Sequence, residues 1–459
     1  MTTLNTFADL KQADVKTVAM THEGATAAQI SDRLTLRRSV MSCLLWEDSF
    51  YESGQDIAAR VQTLALGQPA NVVAALAIEA REEMHLRHVP LLLLSCLART
   101  GSGSRLVSET IARVIQRADE ITELLAIHAK REGVAVSKIK PKISAQMKRG
   151  IAKAFDKFDE YQLAKYNRET PIKLRDALFL AHPKPGEVRD ALYKRLIAGE
   201  LQTPDTWEVA LSAGSDKKET FERLIKERKL GYLALLRNLR NMEQAGVDEA
   251  LVKAAILARK GGADRVLPFR YVAAARAAVS YEEALDAALI ASIGEAPMLK
   301  GRTIVLVDVS GSMHVALSQH GDMTRIDAAA ALASLIKSEE IEVWSFSDNL
   351  VRVPHRYGMG GIDAVRHSQS HGGTQLIAAL HELKDRYCNR LIVISDEQAH
   401  WDWQNREVPK DLKMTAYMIN VASFQHGVGY GDGWTHIDGW SDSVIRYIVA
   451  IEHEAESRT

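Results

Sequence analysis

An apolar run that stops on a carboxylate, Ile304-Val-Leu-Val-Asp-Val-Ser-Gly-Ser312, constrains this chain more than any other stretch. Apolar residues in unbroken succession read as a strand buried on both faces. Asp308 closes it, and Ser310 and Ser312 follow at alternate positions. A strand ending this way hands one carboxylate and two hydroxyls to a loop. These are hard oxygen donors, suited to Mg²⁺ rather than Zn²⁺. Two partners recur downstream. Thr374 lies in the polar loop His371-Gly-Gly-Thr-Gln, and Asp396 ends a second apolar run, Arg390-Leu-Ile-Val-Ile-Ser-Asp396. Ser and Asp are also common helix caps, but capping preference does not explain the later loops.

The five residues Asp308, Ser310, Ser312, Thr374 and Asp396 resemble, in type and order, the metal-ion-dependent adhesion site of von Willebrand factor A domains. The surrounding pattern agrees. Beyond Lys300, strand-like runs at 303–308, 341–346, 350–353, 391–395 and 414–421 alternate with helical stretches at 325–337, 374–387 and 441–452. That alternation predicts a mostly parallel, doubly wound α/β sheet. Ligands of such sheets sit at the carboxyl ends of the strands, where Asp308 and Asp396 fall. The glycine-rich stretch Gly427–Gly433 lacks the Lys-Ser/Thr of a phosphate loop and reads as a flexible turn.

Residues 25 to 295 carry a different signal. Apolar residues recur at helical spacing in 28–46, 54–66, 72–84, 88–99, 104–117, 119–131, 217–228, 231–243, 246–259 and 280–292. Gly67-Gln-Pro69, Gly101-Ser-Gly103, His182-Pro-Lys-Pro185 and Gly261-Gly262 punctuate them. Many short helices with brief turns predict an α-solenoid, without a clean sequence period.

The whole chain has 58 Lys and Arg against 59 Asp and Glu, so bulk charge selects no partner. Its distribution does. Residues 1–299 hold 43 basic against 38 acidic side chains and residues 300–459 hold 15 against 21. The densest positive stretch, 130–175, has 13 Lys and Arg against five acids, with Phe155, Phe158, Tyr161 and Tyr166 interspersed. Clustered cations with aromatics fit phosphate neutralisation with base stacking, although a solvated helix face over a core would read the same way.

Three scattered cysteines, Cys43, Cys96 and Cys388, form neither a disulfide framework nor a zinc pattern. No apolar run reaches the roughly 18 residues of a membrane span, and Leu91–Leu97 is short enough to be a buried helix. The first residues lack the basic start and apolar core of a signal peptide. A soluble cytoplasmic monomer is expected.

In the helical part, Lys165-Tyr166 followed by Arg175-Asp-Ala-Leu-Phe-Leu-Ala-His-Pro-Lys-Pro185 resembles the helix-and-turn segment of the TROVE module in the Ro autoantigen family. Ala234-Leu-Leu-Arg-Asn-Leu-Arg-Asn-Met242 resembles its late signature, and Leu267-Pro-Phe-Arg270 the turn after it. The A-type domain comes next, as in Ro proteins, and Trp434–Trp440 resembles their C-terminus. The resemblance implies two parts. One is a TROVE-like ring of HEAT-like helical repeats at 25–297. The other is a von Willebrand A-like domain at 300–456 holding a divalent ion, Mg²⁺ by its donors.

It further implies a non-enzymatic ribonucleoprotein scaffold for RNA quality control or processing. Small noncoding Y-like RNA would lie on the basic outer surface and the ends of misfolded RNA in the ring. RNA contacts are expected at Lys142, Lys148, Arg149, Lys153, Lys157, Arg168, Lys173, Arg175, His182 and Lys184. His182 and Lys184 align with a family Ser-His-x-Lys-Pro segment in which Ala181 replaces the Ser. An exoribonuclease or another protein is the expected partner of the metal site. The competing reading is a metal-dependent protein-binding module without RNA. A hydrolase is disfavoured, because no general base, second-metal carboxylate cluster or nucleophile–His pair is evident.

Overall fold

The structure is a computed structural model that describes residues 31–41, 53–184, 186–293, 298–316, 323–400, 407–409, 412–422, 427, 434–439 and 443–458. Two compact units emerge. One comprises residues 58–220, the other residues 1–57 with 221–459. The change from helices to strands falls at Leu299, so the second unit contains both late helices and the sheet. Compactness therefore divides the chain elsewhere than the change of element type.

In the unit 58–220, short helices pack pairwise. His88–Thr100 buries every residue from Val89 to Ala98, including the leucine run. Helix Ala145–Phe155 is amphipathic for a visible reason. Met147, Gly150, Ile151, Ala154 and Phe155 follow helical spacing and are buried, while Arg149 and Lys153 stay exposed. Ser144 caps it, its Oγ accepting from Met147 N at 3.2 Å. Gly150 permits a close approach to helix Arg105–Val114. A Cβ there would stand 2.7 Å from Ile111 Cβ and 3.0 Å from the Ser108 carbonyl.

The other unit corrects one helical expectation. The stretch 231–243 forms two helices, Tyr232–Arg237 and Leu239–Gln244. At the break, buried Asn238 turns its side chain onto its own backbone, Nδ2 donating to the Ala234 carbonyl at 2.8 Å. Local amide bonds of this kind compete with helix propagation.

Six strands form the sheet: β1 Leu299–Asp308, β2 Ser338–Phe346, β3 Leu350–Val353, β4 Arg390–Ser395, β5 Thr415–Asn420 and β6 Trp434–Asp438. Their order is β3-β2-β1-β4-β5-β6. All neighbours are parallel except β2 and β3. This is the doubly wound order, with its switch point between β1 and β4. Val305 and Val307 of β1 and Ile392, Val393 and Ile394 of β4 are fully buried, as expected for strands covered on both faces.

Two elements were not anticipated as such. β6 is only five residues of mixed polarity, Trp-Thr-His-Ile-Asp, paired with β5. Helix Gly358–Arg366 opens on Gly-Met-Gly-Gly, a poor helix former. The Asp286 carboxylate supports its start by accepting from Met359 N at 2.6 Å. The expected helix 374–387 is shorter, Leu376–Leu383, which leaves Thr374 in the preceding loop. Residues 428–433, the rest of the expected glycine-rich turn, lie outside the described residues.

Candidate metal centre and nucleic-acid interface

The five oxygen donors converge at the switch point. Asp308 ends β1, and Asp396 directly follows Ser395, the last residue of the adjacent strand β4. Asp308, Ser310 and Asp396 are fully buried, and Thr374 and Ser312 nearly so. Ser310 N donates to Asp308 Oδ1 at 2.9 Å, and the hydroxyls of Ser310 and Ser312 share a hydrogen bond of 3.2 Å. The loop after β1 is tied to the His371–Thr374 loop by Gly311 N donating to the Gly372 carbonyl at 3.1 Å. That loop is tied in turn to the segment after β4. His400 N donates to the Thr374 carbonyl at 3.0 Å, and Thr374 N donates to His400 Nδ1 at 2.7 Å. The second bond makes Nδ1 an acceptor and places the His400 proton on Nε2.

Electrostatics make the cluster cation-seeking. Burial, with Asp396 adding to it, raises the Asp308 carboxyl to about 7. Hydrogen bonds from Ser310 and from Ser395 Oγ, 2.6 Å from Asp308 Oδ2, oppose the shift without cancelling it. Arg325 Nη1 lies 4.0 Å from Asp396 Oδ2. Two buried like charges beside three hydroxyls fit a small, hard, doubly charged ion. Among the described residues no group of three or more His, Cys, Asp or Glu could hold a metal, so a soft-ligand zinc site is not offered. The residues present therefore fit Mg²⁺ in donor chemistry.

Sequence reasoning missed the support around this cluster. Glu397, next to Asp396, has a left-handed backbone with φ 61°. Its buried carboxylate takes Arg38 of helix Asp32–Met41 and, at 2.9 Å, Nε2 of His436 in β6. Burial opposes its ionisation, yet Arg38 and His436 hold it below the usual carboxylate range. The partners are far apart in the chain, so no local pattern could have revealed the triad. His371 Nδ1 bonds the Val309 carbonyl at 2.7 Å, and the His314 ring packs on His371 with centroids 3.9 Å apart.

The expected RNA-contact residues are sorted unequally. Lys148, Arg149 and Lys153 project from helix Ala145–Phe155 with no acidic partner among the described residues, and Arg149 meets the neutral Gln146 at 3.3 Å. Lys184 and His182 are exposed, His182 as a left-handed helix cap with φ 49°. Others are partly neutralised. Lys142 lies 3.5 Å from Glu132, Lys173 2.5 Å from Glu169 and Arg175 3.8 Å from Asp176. Lys157 is exposed but committed to a neighbouring helix, its Nζ donating to the Ala112 carbonyl at 2.8 Å and to that of Ile115, as lysines do at helix C-termini. Arg168 lines a cleft with Tyr166.

The stacking expectation is corrected for two aromatics. Phe155 and Phe158 are 0% and 2% exposed and belong to the core. Tyr161 is exposed and Tyr166 half-buried. Phe179, not singled out from the sequence, is 52% exposed one turn before His182.

Residues 194–288 match the TROVE domain family. The basic helix and the oxygen cluster lie outside that span. No curated protein sequence matches the chain. Among solved structures, the crystal structure of the Deinococcus radiodurans RO (RSR) protein matches over 92% of this chain and 100% of that one, with 20% identity and a TM-score of 0.55. At that identity the likeness establishes the fold. Module and fold together agree with the resemblance read from the sequence.

Proposed function

For a Ro-type chain, with a TROVE domain and the fold of a bacterial Ro protein, we propose the function of an RNA-binding ribonucleoprotein scaffold. The observation that carries this is the row of Lys148, Arg149 and Lys153, three cations held on a rigid amphipathic helix without acidic partners among the described residues. Unneutralised charges on a fixed spacing are what phosphate binding uses. The cargo, by family resemblance, is small noncoding Y-like RNA and the ends of misfolded RNA. Lys184 and His182 extend the surface, while Lys142, Lys173 and Arg175 contribute less because each already faces a carboxylate.

The oxygen cluster serves a second role in this reading. Asp308, Ser310, Ser312, Thr374 and Asp396 would hold Mg²⁺, which would supply a positive charge for an acidic group of a protein partner, such as an exoribonuclease. The protein's own contribution is to bury the carboxylates, aim the hydroxyls and fix three loops through Gly311, Thr374 and His400. Hydrolysis is not part of the proposal, since the sequence offers no second-metal carboxylate cluster and no nucleophile–His pair. No helix among the described residues is long and apolar enough to cross a membrane. We place the scaffold in the cytoplasm, as a monomer.

Crosslinking the protein in its own cells, recovering bound RNA and sequencing it tests the proposal. Enrichment of a few structured noncoding RNAs is expected. Recovery no greater than from an uncrosslinked control would contradict it.

A further inference from the structure

Within the unit 58–220, a small, partly open cleft lies between the first turn of helix Asp119–Arg131 and the loop that follows Tyr166. Its lining is unusual in its hydrogen-bonding sense. Thr122 Oγ1 donates to the Asp119 carbonyl at 2.9 Å, and Thr170 Oγ1 donates to the Ile172 carbonyl at 2.6 Å. Both hydroxyl protons are committed, so each hydroxyl has only lone pairs to offer. Glu123 adds a carboxylate. Its Oε1 is bonded by Arg87, while Oε2 is shielded and has no hydrogen-bond partner among the described residues. His88 Nε2 stands 3.6 Å from Oε2, beyond hydrogen-bond range. Burial and Arg87 lower His88 to about 4, so it is neutral near pH 7.

Aromatic and basic walls complete the cleft. The Tyr166 ring lines it, with the Arg117 guanidinium over one face at 4.6 Å and Lys165 Nζ standing off at 5.8 Å. Arg168 stands at its mouth, exposed. An acceptor-only floor, an aromatic wall and a cation at the rim describe a receptor for a planar group rich in N–H donors and attached to an anion. Among nucleobases guanine fits. Its pairing edge carries N1–H and N2–H₂ side by side. Adenine and cytosine set an acceptor next to their single amino group, and uracil flanks one N–H with two carbonyls. Each of those would press a lone pair against the carboxylate.

We propose that this cleft is a guanine-selective subsite for single-stranded RNA. Glu123, Thr122 and Thr170 accept from the base edge, Tyr166 packs against the ring and Arg168 stands beside the adjoining phosphate. The terminal torsion of Glu is broad, so a rotation of its carboxylate brings Oε2 to the base. Burial, with Asp119 and Glu120 adding to it and Arg87 opposing, raises Glu123 to about 7. A ligand that donates to the carboxylate relieves that penalty. The proposal rests on the RNA-binding reading and gives it a base preference that phosphate contacts cannot supply.

The test uses the full chain and oligouridine RNA carrying one central guanosine, adenosine, cytidine or inosine, measured by fluorescence anisotropy. The guanosine oligomer should bind about tenfold more tightly than the adenosine and cytidine ones, the effect of losing about one charge-assisted hydrogen bond. Inosine, which lacks only the N2 amino group, should fall between. Glu123→Gln should shrink the guanosine preference to about twofold. Equal binding of guanosine and adenosine oligomers by the native chain, or a full preference retained in Glu123→Gln, would overturn the subsite. Failure of every oligomer to bind would instead overturn the RNA reading, and the subsite with it. Free 5′-GMP, tested alone, should bind only at millimolar levels. Micromolar binding would make this a site for the free nucleotide and also overturn the assignment.

Discussion

Asp327→Asn should be among the most destabilising single changes in the unit that contains the sheet. Asp327 sits in the first turn of helix Arg325–Leu335 and is fully buried. Its Oδ2 accepts from Thr324 N at 2.8 Å, Thr324 Oγ1 at 2.9 Å and Arg276 Nη1 at 2.9 Å. Its Oδ1 accepts from Arg276 Nη2 at 2.6 Å, and Arg366 Nε stands 2.9 Å away as an ion pair without aligned hydrogen-bond geometry. The amide keeps shape but turns one acceptor into a donor facing two guanidiniums. Breaking a buried pair this way costs about 3–5 kcal/mol. Arg276→Met should cost less, about 1–2 kcal/mol, because Arg276 is 34% exposed and Arg366 remains. The two changes together should fall short of additivity by more than about 0.5 kcal/mol, as neighbours in one network do. Although burial opposes its ionisation, Arg276 and Thr324 hold Asp327 below the usual carboxylate range. Its stabilisation is therefore present above the unfolded carboxylate value of about 4 and fades as pH falls through the lower folded value. Urea unfolding followed by circular dichroism at pH 7 and at pH 3 measures all of this. A cost under about 1 kcal/mol at pH 7, or a gap between native and Asp327→Asn that widens in acid, would refute the reasoning.

Three further outcomes are expected. Titration calorimetry with Mg²⁺ or Mn²⁺ should show binding that disappears in Asp308→Ala, and unchanged binding in that variant would remove the metal site. RNA affinity should survive both EDTA and a folded Asp396→Ala protein, since the basic helix and the carboxylates lie in different compact units; a tenfold loss, about 1.4 kcal/mol, would mean that the sheet domain helps hold RNA. Gly150→Ala should destabilise by about 1–3 kcal/mol through overpacking against Ile111, despite the gain of about 1 kcal/mol in helix propensity, and a raised melting temperature would contradict the close approach.

The metal cluster was legible because its information is local. A buried parallel strand announces itself as an uninterrupted apolar run, and the residue that ends it must face the ligand-binding edge. Asp308 and Asp396 could thus be placed from two short motifs. The triad of Arg38, Glu397 and His436 could not, because nothing near Arg38 marks it as a partner of residues so distant in the chain. β6 was hidden by its brevity and by a mixed polarity that does not alternate, with polar His436 and Asp438 buried. Helix Gly358–Arg366 was hidden by glycines that tertiary contacts, notably Asp286, override. The basic stretch was legible as charge but not as surface. Composition could not tell Lys153, whose amine is uncommitted among the described residues, from the equally exposed Lys157, whose amine caps a neighbouring helix, nor reveal that Phe155 and Phe158 belong to the core.

The most direct measurement of the central claim is RNA filter binding across a salt series, comparing the native chain with Lys148→Glu, Arg149→Glu and Lys153→Glu combined. Each lost phosphate contact should lower the slope of log affinity against log salt by roughly 0.7 to 0.9. The triple variant should therefore bind more weakly and with a slope flatter by about 2 to 3, its circular dichroism unchanged. A folded triple variant that keeps both affinity and slope would place the RNA elsewhere and contradict the account.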